Sequence, residues 1–478
     1  MTLSEKEIGN ISAKPGLTVP TAAMLQLPER VLQFGTGVLL RGLPDYFIDK
    51  ANRAGVFNGR VVVVKSTDTG GADAFDQQNG LFTLCVRGIE NGQKQEEAII
   101  NSSISRVLSA KSQWEEILHC AGNPDMHLII SNTTEVGIVL KEDDDIHAAP
   151  PASFPAKLLA FLYRRFTFFK GAESSGMVII PTELIIGNGD KLKDIVLKLA
   201  EKNKLDHEFI LWLKQHNHFC NSLVDRIVPG KLNGDDKTTT EEKLGYSDDL
   251  MIMSETFRLW AIESDNPKVK EVLSFAKVDD GVVIAPDIEK FRELKLRLLN
   301  GTHTFSCGVA FLAGFTFVKD AMNDPQLERF VKNLMDEEIS PSLSGKDITA
   351  AEAADFAGKV VDRFKNPFLD HQWIAITLNY TSKMKMRNLP LLLRYHDQHK
   401  NVPAHMALGF AAYVLFMKGT LNAAGKYEGS WQGKTYPIQD EMAGYFAEVW
   451  AAGDVASVVD TILSNTKLWE YDLTTLHG

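Results

Sequence analysis

A strand pattern that ends in a glycine turn constrains the fold of this chain more than any other feature. The apolar run Arg30–Phe34 predicts a strand, and Gly35-Thr36-Gly37 follows it directly. Apolar residues at helical spacing continue to Phe47, and Arg60–Lys65 predicts a second strand. This second run is β-branched without alternation, as in parallel strands covered on both faces. The order strand, glycine turn, helix, strand predicts a βαβ unit.

Strand and helix patterns continue to alternate beyond this unit. Three apolar runs predict strands at 80–86, 126–131 and 177–181. Between them, two runs predict helices at 112–121 and 156–170. Such alternation predicts an α/β fold with a doubly wound, Rossmann-type parallel sheet. Beyond about residue 287 the patterns are mainly helical, including one long run over 294–321. We therefore expect an N-terminal lead-in that lies on the surface over 1–28, a Rossmann-type domain over 29–285 and a mainly α-helical domain over 286–478.

Composition and charge exclude several classes of partner. The 478 residues are 44% hydrophobic and 24% charged, which is typical of a globular protein. Lys and Arg number 51 against 62 Asp and Glu, and the net charge of −11 repels nucleic acid backbones. No apolar run reaches the roughly 18 residues of a membrane helix, no signal peptide pattern is present, and the four cysteines are widely spread. We expect a cytoplasmic protein that acts on a small molecule.

The glycine turn predicts a dinucleotide site, because backbone amides at a helix N-terminus bind pyrophosphate where glycine leaves room. A third glycine would be usual at position 40, where Leu40 stands, so a plain strand-to-helix turn is the alternative. Asp68, just after the second strand, is the candidate ligand of the NAD ribose, whereas Lys65 would favour a 2′-phosphate. The predicted cofactor contacts in this region are Leu32, Gln33, Phe34, Gly35, Thr36, Gly37, Val38, Leu39, Leu40, Arg41 (toward phosphate), Gly42, Leu43 and Asp68.

A second candidate site lies in the helical region, at Lys295, Asn300 and His303. On an α-helix Asn300 lies about 140° and His303 about 80° round from Lys295, which places all three on one broad face. A dehydrogenase of hydroxyl groups needs a base for the hydroxyl proton and donors for the alkoxide. Lysine, asparagine and histidine can supply these functions. The alternative is a solvated lysine, a helix-ending Asn-Gly pair and a core histidine.

The spacing Lys295-x₄-Asn300-x₂-His303 resembles the signature of the polyol-specific long-chain dehydrogenases, the mannitol dehydrogenase family. Six further blocks resemble this family in order, over about residues 29–370: Phe34–Gly37 with Arg41, Leu81–Leu84, Ser131–Glu135, Asn221–Arg226, Glu255–Trp260 and Arg363–Pro367. Within the family, Pro181–Ile185, Asn188-Gly189 and Leu298–Thr304 resemble the branch that acts on hexuronates.

The resemblance implies a metal-independent NAD oxidoreductase. Lys295 would be the general acid and base, Asn300 would stabilise the alkoxide, and His303 would contact substrate. Asn132 and Thr133 would lie near the nicotinamide. Further expected substrate contacts are Asn188, Asp225, Arg363 and His371.

Several alternatives for the substrate and the reaction stay open. The expected substrate is the hexuronate tagaturonate, which would be reduced to altronate. Fructuronate or a neutral polyol would use the same groups, and an isomerase that retains NAD is a different class of enzyme. Arg292, three residues before Lys295, is a candidate cation for a substrate carboxylate.

Overall fold

The computed structural model describes residues 1–66, 72–134, 136–345 and 347–476. The chain divides into two compact units, which we call unit 1 (Met1–Arg87 and Lys94–Ile288) and unit 2 (Gly88–Gln93 and Glu289–Gly478). Unit 1 is an α/β unit and unit 2 is mainly helical, so the predicted fold class is confirmed. The units separate at Ile288, close to the predicted boundary at 285, and unit 2 also takes the short segment Gly88–Gln93 from within the first part of the chain.

The strands described within residues 1–288 form three sheets. They are β1 (Leu17–Thr18), β2 (Glu29–Phe34), β3 (Arg60–Lys65), β4 (Phe82–Glu90), β5 (Gln93–Asn101), β6 (Ile104–Ser109), β7 (Leu128–Ser131), β8 (Val178–Pro181), β9 (His218–Phe219), β10 (Ser222–Asp225), β11 (Gly230–Lys231), β12 (Ile252–Ser254), β13 (Leu259–Glu263) and β14 (Val282–Ala285).

The helices over the same residues are α1 (Val38–Gly42), α2 (Pro44–Arg53), α3 (Ala72–Gln77), α4 (Trp114–His119), α5 (Phe154–Phe168), α6 (Asn188–Lys202), α7 (His207–His216), α8 (Gly234–Leu244) and α9 (Pro267–Val272). Short 3₁₀ turns lie at Glu5–Asn10, Ala22–Gln26, Cys120–Gly122, Glu173–Ser175 and Ser274–Lys277.

The central sheet has the strand order β6-β3-β2-β7-β8-β9, and its neighbouring strands are parallel. Counted along the chain this is the order 3-2-1-4-5-6 of a Rossmann-type sheet. The order reverses between β2 and β7, which pair through Phe34 and Ser131 at their carboxyl ends. Ligands of such sheets bind in the crevice at this switch point.

The β-branched sequence of β3 explains why this sheet is buried on both faces. Val62 and Val64 belong to one hydrophobic core, and Val61 and Val63 belong to the core on the other face. All four side chains are fully buried, as expected when successive residues of a strand point to opposite faces. Each such burial contributes about 1.5–3 kcal/mol to folding. A run without polar alternation is therefore stable only in the middle of a layered fold.

The N-terminal lead-in is integrated into unit 1 rather than lying loosely on its surface. Leu17 and Thr18 form β1, which pairs in parallel with β5 at the edge of a second sheet of order β1-β5-β4-β12-β11. Leu3 and Ile8 are buried as well. The sequence concealed these contacts because Leu3, Ile8 and Leu17 each stand between polar or glycine neighbours. A third sheet has the order β10-β13-β14.

Unit 2 consists mainly of helices. Its α-helices are α10 (Glu289–Glu293), α11 (Thr302–Leu312), α12 (Val318–Met322), α13 (Pro325–Asn333), α14 (Ser340–Leu343), α15 (Ala350–Phe364), α16 (Trp373–Ile376), α17 (Tyr380–Lys383), α18 (Leu389–His399), α19 (Ala404–Phe416), α20 (Ala443–Ala452), α21 (Val455–Leu463) and α22 (Thr466–Trp469), with a 3₁₀ turn at Leu473–Thr475. An antiparallel sheet of β15 (Gly419–Leu421), β16 (Tyr427–Trp431) and β17 (Lys434–Pro437) was not predicted.

Three π-helical segments interrupt the helices of unit 2, at Leu294–Gly301, Leu334–Ile339 and Met384–Asn388. We call the first the lysine π-helix and the third the arginine π-helix. The single helix predicted over 294–321 is thus a π-helix followed by two α-helices. Within the described ranges, no helix is long and apolar enough to cross a membrane.

Candidate functional site

The glycine turn of unit 1 lies at the switch point of the central sheet. Gly35 has a φ of +125°, and a Cβ there would lie 2.8 Å from the carbonyl oxygen of Asn132. Only glycine fits this position without strain. A Cβ on Gly37 would meet nothing within 4 Å, and Gly37 is the N-cap of α1. The first amides of a helix have no partner within the helix, so an open cradle of donors follows β2. These residues fit a dinucleotide pyrophosphate.

Only the middle of the predicted 32–43 run is accessible. Gly35, Thr36, Gly37, Val38 and Leu39 are partly or fully exposed. The remaining predicted contacts in this run are buried inside unit 1: Leu32, Gln33, Phe34, Leu40, Arg41, Gly42 and Leu43. The apolar members of this group are core residues that hold the turn in place.

Arg41 corrects a specific expectation. Its Nη1 donates to the carbonyl of Leu250 at 2.6 Å, and its guanidinium lies over the rings of Phe75 and Phe82 at 5.6 and 5.3 Å. Burial lowers its pKa to about 10. The side chain therefore braces the core below the turn instead of binding phosphate. The sequence places an arginine near the turn but does not indicate which way it points.

The turn after β7 is held beside the glycine turn by the loop after β8. The amide and hydroxyl of Thr133 donate to Glu183 Oε1 at 2.8 and 2.9 Å, and Asn132 Nδ2 donates to the hydroxyl of Thr182 at 3.0 Å. Glu183 is buried, and the loss of hydration raises its pKa. Thr182 and Glu183 thus position the predicted contacts Asn132 and Thr133, a role that sequence reasoning did not assign to them.

Three further predicted contacts remain to be described, namely Asp68, Asn188 and Asp225. Asp68 lies outside the residues that the structure describes, whereas Lys65 is buried at the end of β3. Asn188 is fully buried, and its side-chain amide donates to the carbonyls of Pro181, Glu183 and Ser222. Its oxygen accepts from two backbone amides as well. Asn188 therefore ties the start of α6 to neighbouring strands and has no donor left for substrate. Asp225 is buried at the end of β10.

In unit 2, the π-helical backbone changes the relation between Lys295 and Asn300. A π-helix pairs residue i with residue i+5, so these two residues lie about one turn apart on the same side of the helix. An α-helix would separate them by about 140°. Both are partly exposed, whereas the neighbouring Arg297, Leu298 and Leu299 are buried. The lysine π-helix thus presents an amine and an amide together on its accessible side.

His303 follows in the first turn of α11 and is buried. Its ring stacks on Phe364 with centroids 4.1 Å apart, and it meets the ring of His371 edge-on at 5.2 Å. Burial, followed by the charges of His371 and Arg363 among others, lowers the pKa of His303 well below its usual value. The imidazole is therefore neutral. Its Nε2 has no hydrogen-bond partner in the described parts of the chain, which leaves one polar atom for a ligand.

The structure thus places His303 beside His371 and within the field of Arg363 in unit 2, with Lys295 and Asn300 on the π-helix that precedes it. Arg363 is buried near the end of α15, where its charge acts on the His303 ring. Burial also lowers the pKa of His371. Such a cluster can move a proton at the lysine and donate hydrogen bonds to an oxygen. In the described residues, no group of three His, Cys, Asp or Glu is placed to hold a metal ion.

Comparison with known proteins shows the family to which this chain belongs. The model of the mannitol dehydrogenase Rossmann domain matches residues 29–274, and that of the mannitol dehydrogenase C-terminal domain matches residues 287–477. The chain belongs to the mannitol dehydrogenase family. Membership confirms the predicted oxidoreductase class and the predicted NAD-binding, Rossmann-type domain. The glycine turn and the lysine π-helix each lie inside one of the two family domains.

Similar members of the mannitol dehydrogenase family include proteins named altronate oxidoreductase. That of Bacillus subtilis is 39% identical over 94% of this chain and 90% of its own length, and that of Pectobacterium carotovorum is 38% identical over 95% and 92%. Among solved structures, D-sorbitol dehydrogenase has a TM-score of 0.78 at 20% identity, covering 99% of this chain and 97% of its own. Mannitol 2-dehydrogenase of Pseudomonas fluorescens, solved with NAD and D-mannitol, has a TM-score of 0.67 at 22% identity, covering 98% and 92%. These structures share the fold.

Proposed function

We propose that this chain is an NAD-dependent altronate oxidoreductase, which interconverts D-altronate and D-tagaturonate in the cytoplasm. The observation that carries the proposal is the presence of Lys295 and Asn300 together on the lysine π-helix, followed by a neutral His303 whose Nε2 has no partner among the described residues. Relatives at 38–39% identity over more than nine-tenths of the chain carry this activity in their names.

NAD supplies a hydride acceptor in one direction and, as NADH, a hydride donor in the other. In the oxidation of altronate, the amine form of Lys295 takes the proton of the reacting hydroxyl. Asn300 Nδ2 donates to the oxygen as negative charge develops on it. In the reduction of tagaturonate, the ammonium form of Lys295 returns the proton to the same oxygen. Atoms and charge balance, since altronate and NAD⁺ give tagaturonate, NADH and one proton.

The neutral state of His303 suits a binding role better than an acid or base role. Because the imidazole carries one N–H and one bare nitrogen, it can either donate to or accept from a substrate hydroxyl through Nε2. The stacked ring of Phe364 fixes the plane of the imidazole. The substrate is thus oriented by His303 while the proton moves at Lys295.

Unit 1 supplies the cofactor elements in this proposal. The open amides after Gly37 would hold the pyrophosphate, and Asn132 and Thr133 would lie along the nicotinamide half. A reducing compartment agrees with the cysteines, since Cys85, Cys120, Cys220 and Cys307 are all free and buried.

The experiment that tests the proposal follows NADH absorbance with purified protein and tagaturonate, fructuronate or fructose in parallel. We expect steady oxidation of NADH with tagaturonate and a much lower kcat/KM with the other two. Preference for fructuronate or fructose would show that the enzyme acts on another substrate of the family, and it would contradict the altronate assignment. No oxidation of NADH or NADPH with any of the three would contradict the proposed function as a whole.

A further inference from the structure

The arginine π-helix Met384–Asn388 packs against the lysine π-helix through fixed polar contacts. Arg297 Nη1 donates to the carbonyls of Met386 and Arg387 at 2.7 and 2.8 Å, and Asn388 Nδ2 donates to the carbonyl of Gly301 at 3.3 Å. Since π-helical turns are uncommon and frequently lie at functional sites, two of them in contact indicate a functional role for this part of unit 2. The arginine π-helix is thereby held at a defined position relative to Lys295.

The Arg387 guanidinium is directed to the residue after His303. Its Nη1 donates to the hydroxyl of Thr304 at 3.3 Å, and its charge contributes to the low pKa of His303. Arg387 is half-buried, and this burial lowers its own pKa. Its Nε and Nη2 make no hydrogen bond to the described residues. These two nitrogens, which form one edge of the planar guanidinium, therefore remain available as donors.

No carboxylate within the described ranges forms an ion pair with Arg387, whereas two other cations of unit 2 are paired. Lys385 in the same π-helix pairs with Glu470 at 2.8 Å, and Arg292 pairs with Glu289 at 3.0 Å. A half-buried cation without a counter-charge is costly unless a ligand supplies the charge. The pairing of Arg292 also argues against the expectation that Arg292 binds a substrate carboxylate.

We infer that Arg387 binds the carboxylate of the substrate and so determines specificity for hexuronates over neutral ketoses. The inference rests on the proposed function, in which the substrate is a hexuronate. The planar fork of an arginine matches a carboxylate with two parallel hydrogen bonds, and the Thr304 contact fixes the direction of the fork. A neutral ketose would leave the same guanidinium unpaired.

The test compares KM and kcat for tagaturonate, and rates with its neutral analogue tagatose, in the whole enzyme. For Arg387→Met we expect KM for tagaturonate to rise about 10- to 100-fold, as for the loss of a charge-assisted hydrogen bond. We expect kcat, the KM for NADH and the rate with tagatose to change little. Arg387→Lys restores part of the loss because it keeps the charge. Lys385→Met is the matched control, and its KM should equal that of the wild type.

An unchanged KM for tagaturonate in a folded Arg387→Met variant overturns the inference, as does an equal loss with tagatose. If tagatose is not turned over, the equilibrium binding of altronate and of the neutral polyol altritol is measured instead of the rate with tagatose. We then expect Arg387→Met to lose affinity for altronate alone. If Arg387→Met does not fold, Arg387→Gln, which keeps a polar side chain without the charge, carries the same expectation. Wild-type enzyme that turns over no hexuronate refutes the proposed function itself, before any variant is measured.

Discussion

Lys295 and Asn300 lie five residues apart on one π-helix, so that an amine and an amide share its accessible side. The buried Leu298 and Leu299 anchor the same segment in the core of unit 2. This relation gives each of the two polar groups a separate task, proton transfer for the lysine and hydrogen bonding to the reacting oxygen for the asparagine.

The amide of Asn300 is expected to act mainly in the transition state. Asn300→Ala should lower kcat for tagaturonate by about 10²- to 10³-fold, as for the loss of an oxyanion donor, with a much smaller change in KM. Because Asn300 is partly exposed, the melting temperature should stay near that of the wild type. Steady-state kinetics and thermal unfolding check this. A variant with wild-type kcat would remove Asn300 from the mechanism.

The two glycines of the turn after β2 should respond differently to alanine. Gly35→Ala places a Cβ 2.8 Å from the Asn132 carbonyl at a φ of +125°, so it should destabilise unit 1 by about 1–3 kcal/mol. Gly37→Ala meets no atom of the protein within 4 Å and has an ordinary φ of −60°. It should leave stability unchanged and raise the Kd for NADH at least tenfold.

Urea unfolding and fluorescence titration of NADH separate these two effects. Tight NADH binding by Gly37→Ala would show that the pyrophosphate does not approach the turn at this point. Unchanged stability of Gly35→Ala would show that the turn relaxes away from Asn132.

A buried carboxyl below the turn predicts a pH-dependent stability. Asp45 is fully buried, and the loss of hydration raises its pKa from 3.8 to about 7, against the opposing effects of Gln33 and Arg41. Between these two pH values the folded protein binds a proton that the unfolded chain releases. The contribution of Asp45 to stability therefore falls as the pH rises from about 4 to 7, and it is constant above that range.

Asp45→Asn should remove this dependence. The free energy of unfolding of the variant should match that of the wild type near pH 4 and exceed it by on the order of 4 kcal/mol at pH 8, at 1.36 kcal/mol for each pKa unit. Urea unfolding at pH 5, 6 and 8 measures the difference. Asp143→Asn, at an exposed position, is the control and should show no such trend. A constant difference between Asp45→Asn and the wild type would contradict the assigned ionisation.

Much of unit 1 is predictable because its local patterns and its tertiary structure agree. The β-branched run of β3 can be stable only between two layers, and the glycines after β2 mark the turn that the switch point requires. The directions of Arg41 and Asn188 are not predictable in this way. Both side chains are satisfied by carbonyls distant in sequence, such as that of Leu250, and no local pattern encodes such contacts.

In unit 2 the sequence identifies Lys295, Asn300 and His303 but assumes an α-helix for their geometry. The extra residue of a π-helical turn is accommodated by tertiary packing, here by Arg297 against the carbonyls of Met386 and Arg387. Arg387 itself lies about 90 residues further along the chain, in a cluster of charges that resembles an ordinary helix surface. Its lack of a carboxylate partner in the described ranges becomes visible only in three dimensions.

Single-turnover oxidation of NADH by tagaturonate, with Lys295→Met beside the wild type, is the measurement that most sharply tests proton transfer by Lys295. The control is Lys290→Met, since Lys290 lies one and a half helical turns earlier and pairs with Glu352 at 2.8 Å. We expect Lys295→Met to slow the chemical step by about 10²- to 10⁴-fold while NADH binding and the melting temperature stay unchanged. Equal single-turnover rates for Lys295→Met, Lys290→Met and the wild type would contradict this expectation.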